Sequence, residues 1–211
     1  MNDEHLLTER RALLEAMLTH VPFDGWTDRA MAQAVKDCGY DAGLLTRAFP
    51  NGPAEALDFW VAETDRAMLR VLEGRDLAAM KTGQRVRTAV LVRLELAAPH
   101  REAVRRALNL EALPQHAPKA LRQLYRTVDA IWYAAGDTAT DFNFYTKRML
   151  LGGVYAATLL HWLDDKSEGF ASTAAFLDRR LADVMRIQQA KGKLGKLLNR
   201  LPNPLGRARR A

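Results

Sequence analysis

The sequence predicts an all-α protein. Apolar residues recur at helical spacing almost from end to end, and no alternating run marks a strand. Proline and glycine fall in short clusters between the apolar stretches. Helices joined by such short connections bury their apolar faces against one another, as in a helical bundle. The 211 residues suffice for one packed core, and a single cysteine, Cys38, excludes an internal disulfide or a four-cysteine zinc site.

The elements follow in order. Leu6, Leu7, Leu13, Leu14, Met17 and Leu18 predict a first helix, ended by the Val21-Pro22-Phe23-Asp24-Gly25 turn. Thr27 is a candidate N-cap for a second helix carrying Ala30, Met31, Ala34 and Val35. In the Cys38-Gly39-Tyr40 turn, Gly39 can adopt the left-handed conformation without a Cβ clash. A short helix is predicted over 42–49, and Pro50-Asn51-Gly52-Pro53 breaks it. Pro53 suits the first position of the next helix, which runs through Leu57, Trp60, Val61, Met68 and Leu72. Further helices are predicted over 83–97, 100–110, 117–135, 139–164, 171–190 and 192–201, and the residues after Pro202 read as a frayed tail.

The net charge of +6 is unevenly distributed. Residues 1–60 hold five basic and ten acidic residues, net −5, whereas from Arg186 onward there are eight basic residues and no acid. The segment MNDEHLLTERR has no apolar core of a secretory signal and is too acidic for a transit peptide. No stretch reaches the roughly 18 uncharged apolar residues of a membrane span. A reducing, cytoplasmic compartment is the expectation.

Residues 4–60, through the run WTDRAMAQAVKDCGYDAGLLTRAFPNGPAEAL, resemble the N-terminal helix-turn-helix module of TetR-type regulators. The helix over 42–49 stands where a recognition helix would lie. Duplex binding draws most of its non-specific affinity from Lys and Arg neutralising phosphates. A module at net −5, with only Thr46 and Arg47 to read a groove and Asp41 at the helix start, repels the phosphate backbone instead. The expectation is a degenerate module that binds no nucleic acid; a repressor with an apolar effector is the alternative, which a salt-dependent gel shift would reveal.

Catalytic patterns are missing. No Glu-x-x-His pair suggests a di-metal bundle, and no glycine-rich loop follows a strand. His161 with Asp164 and Asp165 reads as a solvated helix end rather than a metal site, and Cys38 beside Asp37 has no neighbour that would activate a thiol.

The helix predicted over 139–164 is apolar on several faces, so it is buried or faces something apolar. Core or dimer packing and one wall of a pocket for a long apolar ligand are both open. In the pocket reading the lining residues are Met149, Leu150, Gly153, Val154, Leu160 and Trp162. In KGKLGKLLNRL, Leu194, Leu197, Leu198 and Leu201 form a stripe flanked by Lys191, Lys193, Lys196 and Arg200. That cationic amphipathic pattern suits an anionic membrane surface.

The runs DAIWYAAGDTATDFNFYTKRMLLGGVYAATLLHWLDD and GFASTAAFLDRRL closely resemble the ubiquinone-biosynthesis accessory family of the ninth coenzyme Q protein, Coq-nine. The resemblance covers nearly the whole chain. It implies a TetR-like helical homodimer, not itself an enzyme, that has lost DNA binding. It implies no cofactor, but a bound isoprenoid quinone intermediate or phospholipid. It implies a last amphipathic helix seated on the membrane, and support for the di-iron demethoxyubiquinone hydroxylase. Carried over to this sequence, the docking motif is Asp141, Phe142, Asn143, Phe144 and Tyr145, joined by Asp129, Ile131, Lys147 and Arg148. Phe144 stands where the family has Trp, keeping the ring but losing an N–H donor. Thr138 and Asp141 also have capping-box spacing.

The expected organisation is a helix-turn-helix module over 1–60, a lipid-binding and dimerisation body over 61–190, and a cationic helix and tail over 191–211. The expected location is a bacterial cytoplasm, peripheral on the inner membrane. Deleting residues 187–211 is expected to weaken liposome flotation, most on anionic vesicles; equal flotation without them would remove the membrane role of the tail.

Overall fold

The computed structural model describes residues 3–137 and 142–198, with side chains over 4–137 and 144–186. Nine α-helices occupy the described residues: α1 (Asp3–Asp24), α2 (Asp28–Asp37), α3 (Ala42–Ala48), α4 (Pro53–Glu73), α5 (Thr82–Ala97), α6 (Arg101–Glu111), α7 (Ala117–Ala134), α8 (Phe142–Asp164) and α9 (Ala171–Leu198). Local chemistry sets many of the boundaries. Thr27 accepts from the Ala30 amide at 3.4 Å to cap α2, and Asp41 accepts from the Gly43 amide at 2.9 Å to cap α3. Gly39 turns the chain with φ +65°, and Gly52, with φ +68°, precedes Pro53 at the start of α4.

Two boundaries differ from the sequence expectation. Pro22 does not end α1 but sits inside its last turn, where the helix needs few further amide donors. Its carbonyl accepts from Arg106 Nη2 at 3.0 Å, and Gly25, at φ +70°, donates to the Val21 carbonyl at 2.9 Å. The helices expected over 171–190 and 192–201 are one helix as far as Leu198. Gly192 and Gly195 each cost about 1 kcal/mol relative to Ala but keep their backbone N–H, so neither stops the helix as proline would. Thr138, Asp141, Arg200 and Leu201 lie outside the described residues, as do the side chains of Asn143, Lys193, Leu194, Lys196, Leu197 and Leu198.

Helices α1, α2 and α3 pack together, and α1 also lies on α6. Trp26 joins this module to the body: it donates from Nε1 to the Ala103 carbonyl at 3.0 Å, and its ring packs at a tilt on Trp60 of α4, with centroids 5.3 Å apart. In the body, α7 packs against α4, α5 and α8, while α9 packs on α8 and α5. The core is continuous, from Leu13 and Met17 through Met68, Val90 and Ile131 to Trp162 and Leu177.

The α8–α9 joint is fixed by Asp165. Its carboxylate accepts from the amide and hydroxyl of Ser167 at 2.8 and 2.6 Å and of Thr173 at 2.8 and 2.6 Å. Burial alone would raise its pKa, but these four donors hold it well below the usual aspartate range. Arg101 donates to the Asp165 carbonyl at 2.6 Å and to the Trp162 carbonyl, closing the end of α8. Phe170, at φ +56°, packs on Trp162 with ring centroids 5.9 Å apart, which holds an unusual backbone in place.

Because the folded-state pKa of Asp165 is depressed, its contribution is complete above the ordinary aspartate range and is lost as the pH falls through that range toward the folded value. Asp165→Ala is expected to cost about 2 kcal/mol or more at pH 7 by urea unfolding, with the gap from wild type narrowing at low pH. An undiminished gap at acidic pH would show that the ionised carboxylate is not what holds the joint.

Candidate functional site

A hollow of about 500 Å³ opens between α4, α5, α6, α7 and α8. Alanines create it: Ala97, Ala107, Ala112, Ala117, Ala120 and Ala156 stand where larger side chains would fill the space. Its wall is almost wholly apolar, and its volume falls in the range of small-molecule sites. The outer end is marked by Leu121 and Leu160, 67% and 60% exposed. The inner end is formed by buried Arg93, Gln123, Thr127 and Tyr155.

One ionic cluster ties these helices together at the floor. Arg93 on α5 donates from Nε to Asp65 Oδ1 on α4 at 2.6 Å, from Nη1 to Tyr155 Oη on α8, and from Nη2 to Thr127 Oγ1 on α7 at 3.4 Å. Thr127 donates in turn to Asp65 Oδ2 at 2.9 Å. Burial opposes the charge on Arg93, yet the Tyr155 and Asp65 oxygens beside it raise its pKa, so the guanidinium is ionised. Burial pushes Tyr155 up against the opposing pull of Arg93, so its phenol stays protonated. Burial likewise raises Glu111 on the wall, partly offset by Lys119.

The second surface lies where the C-terminal end of α7 meets the first turns of α8. Arg148 donates to Asp129 Oδ1 at 2.7 Å and to Asp137 Oδ2 at 3.4 Å, and its guanidinium carbon sits 3.3 Å from the Phe144 ring centroid. Lys147 donates to Asp137 Oδ1 at 2.7 Å. Phe144 meets Tyr145 edge-on at 5.1 Å. The Arg148–Asp129 pair aligns the two helices, so Tyr133, one turn past Asp129, and Tyr145, near Arg148, share one end of the pair. These tyrosines are 77% and 65% exposed, and Met149 is 76% exposed. Uncovered aromatic and methionine side chains framed by ion pairs have the composition of a docking surface.

This geometry separates the residues that the sequence grouped. Of the expected lipid-binding set only Leu160 lines the hollow. Tyr155, Ala156, Leu159 and Leu160 form the face of α8 turned to it, and the other five lie on different faces. Met149 and Gly153 are exposed, Leu150 is half-buried outside the hollow, Val154 is buried in the core, and Trp162 packs beneath Arg101 and Phe170 at the joint. Gly152, not Gly153, meets another helix, with Leu124 at 3.8 Å from where a Cβ would stand. Of the expected docking set, Ile131 is fully buried and Arg148 is buried among carboxylates, so neither offers a partner its side chain. Asp129 is half-exposed, Phe144 covers Arg148, and Tyr145 faces outward.

The floor was missed, although a signal for it exists. Arg93 interrupts the apolar face formed by Val86, Ala89, Val90 and Ala97, where a charge requires a buried partner. His161, Asp164 and Asp165 do not converge: they bond to Ser172, Arg105, and Ser167 with Thr173. Burial and the neighbouring Asp37 push the Cys38 thiol up. Among the described residues no helix is long and apolar enough to cross a membrane.

Comparison with known proteins gives these structures a context. The COQ9 family model matches residues 117–188, covering α7, α8 and much of α9. The mitochondrial ubiquinone biosynthesis protein COQ9 of Rattus norvegicus is 35% identical over 182 residues, which is 83% of this chain and 58% of that protein. The Homo sapiens protein of the same name is 35% identical over 83% of this chain and 57% of its own, and that of Drosophila melanogaster 32% identical over 85% and 56%. The chain thus spans little more than half the length of these relatives. A crystal structure of a TetR transcriptional regulator from Nitrosomonas europaea aligns with a TM-score of 0.70 at 19% identity, over 83% of this chain and 97% of that one. At that identity the likeness shows the fold alone. These matches bear out the family resemblance and the TetR-like all-α fold. They overturn the expected bacterial cytoplasm, because the matched relatives are mitochondrial proteins.

Removing one partner of a buried ion pair strands the other charge. Asp65→Ala is therefore expected to cost about 3–5 kcal/mol in urea unfolding, and the double change Asp65→Leu with Arg93→Met to recover most of that loss. A loss below about 1 kcal/mol for the single change would show that Arg93 does not depend on Asp65.

Proposed function

We propose that this chain, a COQ9-family protein by its match over residues 117–188, is a non-catalytic lipid-binding protein of ubiquinone biosynthesis. It holds an isoprenoid quinone intermediate in the alanine-lined hollow and presents it to a di-iron demethoxyubiquinone hydroxylase. The observation that carries this reading is the hollow itself, apolar, about 500 Å³, and reached past Leu121 and Leu160 on the same helix pair that exposes Tyr133 and Tyr145. A ligand leaving that mouth emerges on the α7–α8 pair, at the end opposite Tyr133 and Tyr145 and about 20 Å along it from them. The reading keeps the homodimer, the membrane-seated tail and the absence of nucleic-acid binding that the sequence suggests. The curated relatives are named for the pathway and not for a reaction, in keeping with an accessory role.

Two measurements test it. Organic extraction and native mass spectrometry of purified protein are expected to find a co-purified lipid, and Ala120→Trp, which fills the hollow, is expected to abolish it. Lipid carried equally by the Trp variant would place the ligand elsewhere. Tyr145→Asp is expected to weaken hydroxylase association by about thirtyfold, the equivalent of about 2 kcal/mol at a hot spot, with the melting temperature nearly unchanged because the side chain is 65% exposed. Unchanged association would remove Tyr145 from the interface.

A further inference from the structure

The last turn of α7 holds no basic residue of its own. Its final carbonyls carry the negative end of the helix dipole and need donors from elsewhere. Arg85, at the start of α5, supplies them. It donates from Nη1 to the Ala135 carbonyl at 3.2 Å, from Nε to the Met80 carbonyl at 2.9 Å and from Nη2 to the Ala78 carbonyl at 3.2 Å. One guanidinium thus pins the 74–81 loop between α4 and α5 to the end of α7.

The turn after α7 is shaped to this contact. Gly136 takes φ +77°, and a Cβ there would stand 3.1 Å from Arg85 Nη1. The Gly136 amide donates to the Tyr133 carbonyl at 3.0 Å, and the Asp137 amide to the Trp132 carbonyl at 3.1 Å. Asp137 then accepts from Lys147 at 2.7 Å and from Arg148 at 3.4 Å, and Tyr133 in the same turn is exposed. The carbonyl that Arg85 holds therefore stands two residues from the carboxylate that seats both cations of α8, and two from the exposed Tyr133 ring. A planar guanidinium spans three carbonyls at once, whereas an ammonium is a point donor.

We infer that Arg85 is a positioning residue of the docking surface. By tying the Ala135 carbonyl to the 74–81 loop it fixes the turn that orients Tyr133 and Asp137. This rests on the α7–α8 surface being where the hydroxylase docks. It adds a determinant on α5, outside the docking motif and outside the 117–188 segment that the family model matches.

The test measures binding of the full-length chain to the di-iron hydroxylase, with the melting temperature alongside. Arg85→Met keeps the aliphatic stem and removes the donors. Its affinity is expected to fall about tenfold, the value of a hydrogen bond from a charged donor, with the melting temperature lowered less than in Asp65→Ala. Arg85→Lys is expected to fall nearly as far, because charge without the fork does not join loop and helix. In a Tyr133→Ala background, Arg85→Met is expected to cost less than about threefold more, since the ring it places is gone. Wild-type affinity in Arg85→Met, full recovery in Arg85→Lys, an undiminished loss in the Tyr133→Ala background, or a melting temperature lowered as far as in Asp65→Ala each overturns the inference alone. No binding by wild type, or wild-type affinity in both Tyr133→Ala and Tyr145→Asp, overturns the docking reading and the inference with it.

Discussion

The body of this protein is organised around one guanidinium. Arg93 on α5 reaches Asp65 on α4, Thr127 on α7 and Tyr155 on α8, so a single buried charge fixes the relative positions of four helices. A charge in that position is tolerated only because its partners are complete. The arrangement also answers a structural problem. An alanine-lined hollow forfeits dispersion contacts and tends to collapse. Polar bonds across its floor have preferred lengths and directions, so they hold the helices apart where apolar side chains would let them close.

The two surfaces of functional interest are linked through α7 and α8. The inner faces of these helices line the hollow with Leu124, Thr127, Tyr155 and Leu159. The far end of the same pair is clamped by Arg148 to Asp129 and Asp137 and carries Tyr133 and Tyr145. Arg148 illustrates a distinction that sequence motifs blur. It belongs to the motif but is buried, covered by Phe144, and acts by positioning the helices, whereas Tyr145 beside it is free to meet a partner. Phe144 therefore acts first on how Arg148 is covered.

What was legible in the sequence is what local chemistry determines. Thr27, Asp41 and Pro53 mark helix starts through backbone geometry that needs no distant partner, and Gly39 marks a left-handed turn. The all-round apolarity of α8 told that the helix would be enclosed, but not which face would meet empty space. That depends on the size of what stands opposite. The hollow faces Tyr155, Ala156, Leu159 and Leu160 because α6 and α7 present alanines there, while Val154 and Trp162 meet filled core. Small residues signal space only when several helices aim them at one point, and such convergence is a property of the packed structure. The hidden N–H of Gln123 and the four donors around Asp165 are likewise set by tertiary contacts.

The central claim is that the hollow is a ligand site rather than a packing defect. It is tested most directly by an electron-density map of the protein purified without delipidation. The account predicts elongated density between Ala107, Ala120 and Ala156, emerging past Leu121. A hollow closed by inward movement of α6 or α7, or filled by ordered water alone, would contradict it.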